Sequence, residues 1–362
     1  MESKTVNKSP CEHKSMPQYE RVAPAAGLRL HLNENTAGCS PSVIAALQAV
    51  TREQAAFYPD YDRATELCAA RLGVTPAETV LTNGLDEGIL AVAMSALRSG
   101  RERGACEALI PEPAFDMYAS CSDAVGATLV HVGPSTDLEF PFEEMLSAIG
   151  PQTAAVFLTS PNNPTGMLVD RAQLLQVIER AKHALVLLDE AYADFARTTF
   201  IGDRALARFP NVIVGRTFAK AYGLAGLRVG ALVGHPSTLE PIRRLLPPYS
   251  VNAYAVAAVE AAFTDVDYYD WYLGQVDESR ALLNAALSRL GVRVWPSAAN
   301  FVLAYFGDRS PAVVAGLAER GVTVRDRSHD PGCAGCVRIT AGVVAHTRAC
   351  IAALEEVLCD AR

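Results

Sequence analysis

A lysine and an arginine in one short segment are the residues of this chain that first suggest chemistry. Lys220 stands among small and apolar residues in segment 215–230, and Arg228 follows eight residues later. A lysine amine forms a Schiff base with a carbonyl only when it is deprotonated, and an apolar pocket or a nearby cation lowers its pKa. Arg228 is suited to be that cation, and its guanidinium is also suited to bind a phosphate. Taken alone, the lysine better fits an exposed position in a surface turn, so other segments must be weighed with it.

Two polar motifs directly follow apolar runs that are typical of buried strands. Asn163 lies in the proline-bounded turn 160–166, where its amide is suited to donate to a ligand oxygen, although in isolation a plain Asx-rich turn is the preferred interpretation. Asp189 and Tyr192 follow the apolar run 184–188. A carboxylate in that position needs a positive partner, because burial otherwise raises its pKa. The alternative is an aspartate that caps the next turn.

The elements that must position these residues predict an α/β fold. Apolar runs alternate with helical segments from about residue 80 onwards, which indicates parallel strands covered by helices on both faces. The carboxyl ends of such strands meet at one edge of the sheet, where ligands bind. Residues 80–97 predict a strand, a glycine turn and a helix, a step whose free backbone N–H groups favour phosphate.

The chain of 362 residues is long enough for two domains. The pattern changes after Pro247-Pro248, where one long helical region, about residues 253–290, precedes short strands and two further helices. We predict an N-terminal arm and the start of the small domain over residues 1–37. A large domain with a mostly parallel sheet then spans residues 38–247, and a smaller α+β domain spans residues 248–362.

Composition excludes several classes of function. The formal charge is −8 and no basic run stands out, so nucleic acid is not an expected partner. The first 16 residues are polar, and no apolar run reaches the length of a membrane span. Nine scattered cysteines indicate free thiols in the reducing cytoplasm, and the isolated pair Cys333 and Cys336 offers too few ligands for zinc. No metal is expected.

Taken together, the polar residues at these strand ends resemble those of the fold-type I, aspartate-aminotransferase-like enzymes that use pyridoxal 5′-phosphate (PLP). The resemblance covers nearly the whole chain after the arm. It implies that Lys220 carries the cofactor as a Schiff base and that Asp189 keeps the pyridine nitrogen protonated, so that the ring is an electron sink. It also implies that Asn163 and Tyr192 bind the phenolic oxygen.

The resemblance further implies the contacts around the cofactor's edge. These are the phosphate ligands Arg228, Thr217, Leu85 and Asp86, the ring-stacking Phe115, and Tyr58, which would reach the phosphate of the neighbouring subunit. A shared site of this kind implies a homodimer. Ala219 departs from the family pattern, which has serine or threonine there, and we expect a modest loss of cofactor affinity.

Within this family, the segments 31–35, 57–60 and 216–228 most resemble histidinol-phosphate aminotransferases. The substrate residues implied are Arg338, Arg325, Tyr19 and Asn33, with the two arginines at the substrate's anionic end. Two guanidinium groups suit a dianionic phosphate, although Arg325 also fits a surface arginine.

The expected reaction is a ping-pong transamination in which L-histidinol phosphate is the donor and 2-oxoglutarate the acceptor. Two alternatives stay open. The first is an aminotransferase of the same fold that takes an aromatic or other amino acid. The second is a decarboxylase of threonine phosphate, whose lysine segment usually differs from the segment found here.

Overall fold

The computed structural model describes residues 7–8, 26–202 and 205–360. Its strands are β1 (Asn7–Lys8), β2 (Leu28–Arg29), β3 (Thr79–Thr82), β4 (Glu107–Pro111), β5 (Thr128–Val132), β6 (Thr153–Thr159), β7 (Leu185–Asp189), β8 (Val212–Thr217), β9 (Gly230–Gly234), β10 (Arg293–Val294), β11 (Phe301–Tyr305), β12 (Val322–Thr323), β13 (Arg325–Asp326) and β14 (Cys336–Thr340). Its helices are α1 (Pro41–Gln48), α2 (Arg52–Ala56), α3 (Asp62–Leu72), α4 (Gly84–Arg101), α5 (Met117–Ala124), α6 (Phe142–Ala148), α7 (Arg171–Arg180), α8 (Ala193–Ala196), α9 (Ala205–Arg208), α10 (Pro236–Arg243), α11 (Ala253–Thr264), α12 (Val266–Arg289), α13 (Ser310–Glu319) and α14 (Val344–Asp360).

An eight-stranded sheet forms the centre of the larger part of the chain. Its strand order is β1-β5-β4-β6-β7-β8-β9-β3, and the strands from β5 to β8 run parallel to one another. Neighbouring residues of one strand enter different cores: Val186 and Leu188 pack in one hydrophobic cluster, and Leu187 packs in another. Both faces are therefore covered, which is why these strands are apolar along their whole length. The predicted α/β class with a mostly parallel sheet is confirmed.

The carboxyl ends of β3, β4, β6, β7 and β8 lie at one edge of this sheet. Strand β9 runs antiparallel between β8 and β3, so its first residue, Gly230, pairs with the last residues of both neighbours, Thr217 and Thr82. Segments that leave these strands therefore emerge side by side, as the alternation of strands and helices predicted.

A second, antiparallel sheet has the order β10-β11-β14-β13 and packs against helices of the C-terminal part. Arg325 on β13 lies directly opposite Arg338 on β14. Strand β2 pairs in parallel with β12, which joins the region after residue 26 to the C-terminal part. None of the described helices combines the length and the apolar character that a membrane span requires.

Two predicted elements differ from the structure. The single helical region over about 253–290 is two helices, because Asp265 leaves helical geometry and its side chain accepts the Tyr268 N–H at 3.3 Å as the cap of α12. The alternating run 28–32 predicts a short strand, but the strand ends at Arg29, because the chain then crosses to β14, where Leu30 O accepts the Thr340 N–H at 3.0 Å.

Candidate active site

A cavity of about 240 Å³ lies at the carboxyl edge of the main sheet, below the antiparallel sheet. Most of the predicted site residues line it: Asn33, Leu85, Asp86, Phe115, Asn163, Asp189, Tyr192, Thr217, Lys220, Arg228, Arg325 and Arg338. Apart from Asn33, which follows β2, each follows or precedes a strand with an end at this edge or lies on the antiparallel sheet. The structure thus brings together residues that are far apart in sequence.

Lys220 lies in the wall of the cavity, three residues after β8. Its Nζ donates a hydrogen bond to Leu32 O at 2.9 Å, and protein encloses it except towards the cavity. Burial, with a contribution from the nearby Arg338 cation, lowers the pKa of Lys220 to about 8. The neutral, nucleophilic form of this amine is therefore far more populated near physiological pH than that of an ordinary exposed lysine, although the protonated form still predominates.

Asp189 is the buried carboxylate of the site. Its Oδ2 accepts a hydrogen bond from Tyr118 Oη at 2.7 Å, and the Tyr118 hydroxyl accepts one from Thr159 Oγ1 at 2.8 Å. Burial raises the pKa of Asp189 to about 6, although the hydrogen bonds from Tyr118 and the Ala191 N–H oppose that shift. Such a carboxylate gains most from a cationic N–H partner, which a protonated pyridine ring provides.

A polar network joins the main sheet to the antiparallel sheet on one side of the cavity. Arg338 donates to Asn163 Oδ1 and, at 2.7 Å, to His31 O. Because the Asn163 oxygen is occupied, its NH2 group is the part suited to donate into the cavity. Asn33 Nδ2 donates a hydrogen bond to Tyr192 Oη at 3.1 Å. Asn33 therefore positions the Tyr192 hydroxyl, and this role does not depend on a contact between Asn33 and the substrate.

The opposite end of the cavity is shaped for an anion. Helix α4 begins at Gly84, whose φ is +75°, and a Cβ built on Gly84 would lie 2.5 Å from Arg228 Nη2. Only glycine therefore lets Arg228 rest over the helix N-terminus, where it pairs with Asp86 at 2.7 Å. The Thr217 hydroxyl accepts the Ala219 N–H at 3.3 Å beside them. The helix terminus, a hydroxyl and a guanidinium form a donor set that fits a phosphate.

One of the predicted residues, Tyr58, does not line this cavity. Tyr58 is 78% exposed and stacks on Tyr249, with ring centroids 4.3 Å apart. Its predicted role across a subunit boundary stays a prediction. Tyr19 lies outside the described residues.

The prediction missed Tyr118, Thr159 and Arg327, which also line the cavity. Tyr118 stands three residues beyond Phe115, and Arg327 stands two residues beyond Arg325, on the same face of an extended chain. These spacings were readable from the sequence. The contacts that give the residues their importance were not, because those contacts come from other elements.

Behind the site, Arg216 is a buried guanidinium between two acids. It contacts Glu190 at 3.2 Å and Asp194 at 2.8 Å, and all three side chains are less than 10% exposed. Burial opposes its charge, but Asp194 and Glu190 more than compensate and raise the pKa of Arg216. This cluster ties β8 to the segment that carries Asp189 and Tyr192.

Comparison with known proteins places the chain in a family. Residues 26–354 match the model for "Aminotransferase class I and II". The chain belongs to this family, whose enzymes depend on PLP.

Curated relatives carry a more specific name. A "Histidinol-phosphate aminotransferase 2" of Carboxydothermus hydrogenoformans is 36% identical over 82% of each chain. A "Histidinol-phosphate aminotransferase" of Symbiobacterium thermophilum is 34% identical over 91% of this chain and 90% of its own.

Solved structures agree on the fold. The histidinol-phosphate aminotransferase of Sinorhizobium meliloti, in complex with pyridoxal-5′-phosphate, has a TM-score of 0.83 at 26% identity and covers 98% of this chain and 99% of its own. The L-threonine-O-3-phosphate decarboxylase of Porphyromonas gingivalis has a TM-score of 0.77 at 22% identity, with 91% of this chain and 99% of its own covered. At that identity the likeness concerns the fold alone.

Proposed function

We propose that this aminotransferase converts L-histidinol phosphate and 2-oxoglutarate to imidazole acetol phosphate and L-glutamate. One observation carries the choice of donor: Arg325 and Arg338 lie opposite each other in the antiparallel sheet, and both line the cavity that holds Lys220. Two guanidinium groups on one wall suit a dianionic phosphate, whereas a single carboxylate needs only one. The names of the curated relatives support the same donor.

The residues at the cavity fit PLP. Arg228, Thr217 and the start of α4 would hold its phosphate, Asp189 its ring nitrogen, and Asn163 and Tyr192 its phenolic oxygen. When bound, PLP supplies an electron sink for the carbanion of the donor. The pKa of about 6 keeps Asp189 largely ionised at neutral pH, ready to hold a proton on the ring nitrogen.

Lys220 then has two tasks that its surroundings suit. Its neutral amine would hold the cofactor covalently, and the same Nζ would serve as the general base that takes the α-proton of the donor. Leu32 O accepts a hydrogen bond from this amine at 2.9 Å. Arg338, on β14 of the antiparallel sheet, lines the same cavity and, in addition to burial, helps to lower the pKa of this amine.

We also propose a homodimer whose sites are shared through Tyr58. The support is the exposed pair of stacked rings, Tyr58 and Tyr249, outside the cavity of their own chain. We retain the predicted division into residues 1–37, 38–247 and 248–362 as part of this proposal. We further place the enzyme in the cytoplasm, since the cysteines of the described residues are free thiols.

A half-reaction tests the donor. Holoenzyme is mixed with L-histidinol phosphate, L-phenylalanine or O-phospho-L-threonine, while the visible absorbance of the lysine-bound cofactor and the release of CO2 are followed. We expect rapid bleaching with L-histidinol phosphate and no release of CO2. A matched Lys220→Ala protein should show neither the band nor the reaction.

The other outcomes each decide against a part of the proposal. Bleaching with phenylalanine alone would keep the aminotransferase and remove the phosphate donor. Release of CO2 from phosphothreonine would indicate the decarboxylase. A band that no amine bleaches would contradict the catalytic assignment of Lys220.

A further inference from the structure

Arg327 is a buried cation at the substrate end of the cavity that the proposed donor contacts do not use. Its side chain is 6% exposed and lines the cavity beside Arg325 and Arg338. It forms an ion pair with Asp330, and Arg327 Nε has no hydrogen-bond partner among the described residues. A buried guanidinium with N–H groups to spare is costly unless a ligand takes them up.

The backbone places Arg327 on the same side as the other two arginines. Arg325 pairs with Arg338 across β13 and β14, and the Arg327 N–H continues the ladder to Cys336 O at 2.9 Å. Because side chains alternate along an extended chain, residues 325 and 327 face the same side. The three guanidinium groups therefore form one wall of the cavity.

Asp330 holds Arg327 in place from behind. The Asp330 N–H donates to Arg327 O at 2.9 Å, which closes the turn that brings carboxylate and guanidinium together. Burial raises the pKa of Asp330 to about 6, so the carboxylate is ionised at neutral pH. Asp116 lies close enough to contribute to that shift, but it does not line the cavity.

The side chains at the substrate end of the cavity carry an excess of two positive charges, which a ligand can neutralise. Three arginines line the wall, and Asp330 neutralises one of them. Glu34 also lines the cavity, but it pairs with Arg29. Burial lowers the pKa of His31, so this neighbour adds no charge at neutral pH. An excess of two matches a phosphate monoester better than a carboxylate.

We propose that Arg327 is a third phosphate-binding residue of this site, which contacts the phosphate of the amine donor together with Arg325 and is positioned by Asp330. The inference rests on the proposed function, since it deepens the recognition of the same donor. It assigns to Arg327 the preference for a phosphorylated donor over its unphosphorylated counterpart.

The test compares kcat/KM for L-histidinol phosphate with kcat/KM for L-histidinol. We expect wild type to prefer the phosphorylated donor and Arg327→Gln to reduce that preference about tenfold or more, as expected for loss of a hydrogen bond to a charged group. The kcat/KM for L-histidinol should change less than about twofold, because that donor has no phosphate for Arg327 to contact. Arg327→Lys should fall between the two, and the exposed Arg309→Gln is the matched control.

The double variant Arg327→Gln/Asp330→Asn separates the loss of a phosphate contact from an effect of misfolding. Arg327→Gln alone leaves a buried carboxylate without its cation, whereas the double variant removes both charges and should show the same loss of preference. Thermal melting and the affinity for PLP establish that each variant is folded.

Two results are distinguishable failures. A wild type that does not prefer the phosphorylated donor would contradict the proposed function itself. A wild type with that preference, together with folded Arg327 variants that keep it, would overturn the role of Arg327 alone.

Discussion

Burial shifts the two ionisable residues at the centre of this site in opposite directions. It lowers the pKa of Lys220 to about 8 and raises that of Asp189 to about 6. In both cases the low-dielectric surroundings disfavour the charged form. The amine thereby becomes a better nucleophile, and the carboxylate becomes dependent on a cationic partner. Burial therefore accounts both for the nucleophilic amine of Lys220 and for the need of Asp189 for a cation.

The pKa of Lys220 should respond to Arg338, the cation with the largest effect on it after burial. We expect Arg338→Gln to raise that pKa above about 8, because removal of a nearby positive charge stabilises the protonated amine. The measurement is the rate at which PLP associates with the apoprotein as a function of pH. This rate follows the fraction of Lys220 that is neutral. At pH 8 the rate should fall roughly two- to tenfold, the order expected for one nearby charge. Arg348→Gln, at a 66% exposed arginine, should leave the profile unchanged, and an unshifted profile in Arg338→Gln would refute the coupling.

Tyr118 should control the acid side of the pH profile. Tyr118→Phe keeps the ring stacked on Phe157 but removes the hydroxyl that donates to Asp189 at 2.7 Å. Since this hydrogen bond lowers the pKa of Asp189, its loss should move the acid midpoint of kcat/KM to higher pH than in wild type. We also expect kcat to fall about tenfold, in line with a hydrogen bond to a charged group. Tyr305→Phe, at an exposed tyrosine, is the control, and equal profiles in the two variants would exclude Tyr118 from this role.

At the scale of elements, the turn from β3 into α4 requires a residue without a side chain. A Cβ on Gly84 would meet Arg228 Nη2 at 2.5 Å, and its φ of +75° disfavours other residues. We expect Gly84→Ala to lower the free energy of unfolding by about 1–3 kcal/mol and to weaken PLP binding, because the helix start and the guanidinium move apart. Urea denaturation of the apoprotein and PLP titration measure the two effects. Gly226→Ala, whose Cβ would meet no atom within 4 Å, should change neither.

The buried cluster around Arg216 joins two elements that carry catalytic groups. Arg216→Gln leaves Glu190 and Asp194 as buried carboxylates without their cation, so we expect a loss of about 3–5 kcal/mol in the free energy of unfolding. Arg197→Gln breaks a pair in which Arg197 is 64% exposed and should cost less than about 1 kcal/mol. Similar urea midpoints for the two variants would show that burial does not distinguish these ion pairs.

At the scale of the whole molecule, Phe57, Tyr58 and Tyr249 expose more than half of their surface each. If Tyr58 completes the site of a second subunit, two inactive variants should complement each other. A heterodimer of Lys220→Ala with Tyr58→Ala has one doubly altered site and one intact site. Mixing the two proteins under exchange should therefore restore up to about half of the wild-type activity per heterodimer. No gain on mixing, with heterodimers verified by mass, would confine Tyr58 to its own chain.

Much of the candidate site could be predicted from sequence because its residues directly follow strands. Asn163, Asp189 and Lys220 each occur within a few residues of an apolar run that ends at the sheet edge, and parallel packing brings such positions together. Tyr58 and Tyr19 remain predictions, since one concerns a second chain and the other lies outside the described residues. The missed residues owe their roles to contacts with distant elements.

The sequence by itself determined the α/β class and which polar residues follow each strand, and so which chemical groups are present at the strand ends. These properties depend on residue type and short-range spacing. The tertiary structure decided which groups meet. Lys220 is bound by Leu32 O, 188 residues away, and Asp189 by Tyr118, 71 residues away. It also decided that Arg327 joins Arg325 and Arg338 on one wall, since the antiparallel pairing of β13 and β14 sets that register. Charges and pKa values in the site follow from this long-range packing, which local sequence patterns do not encode.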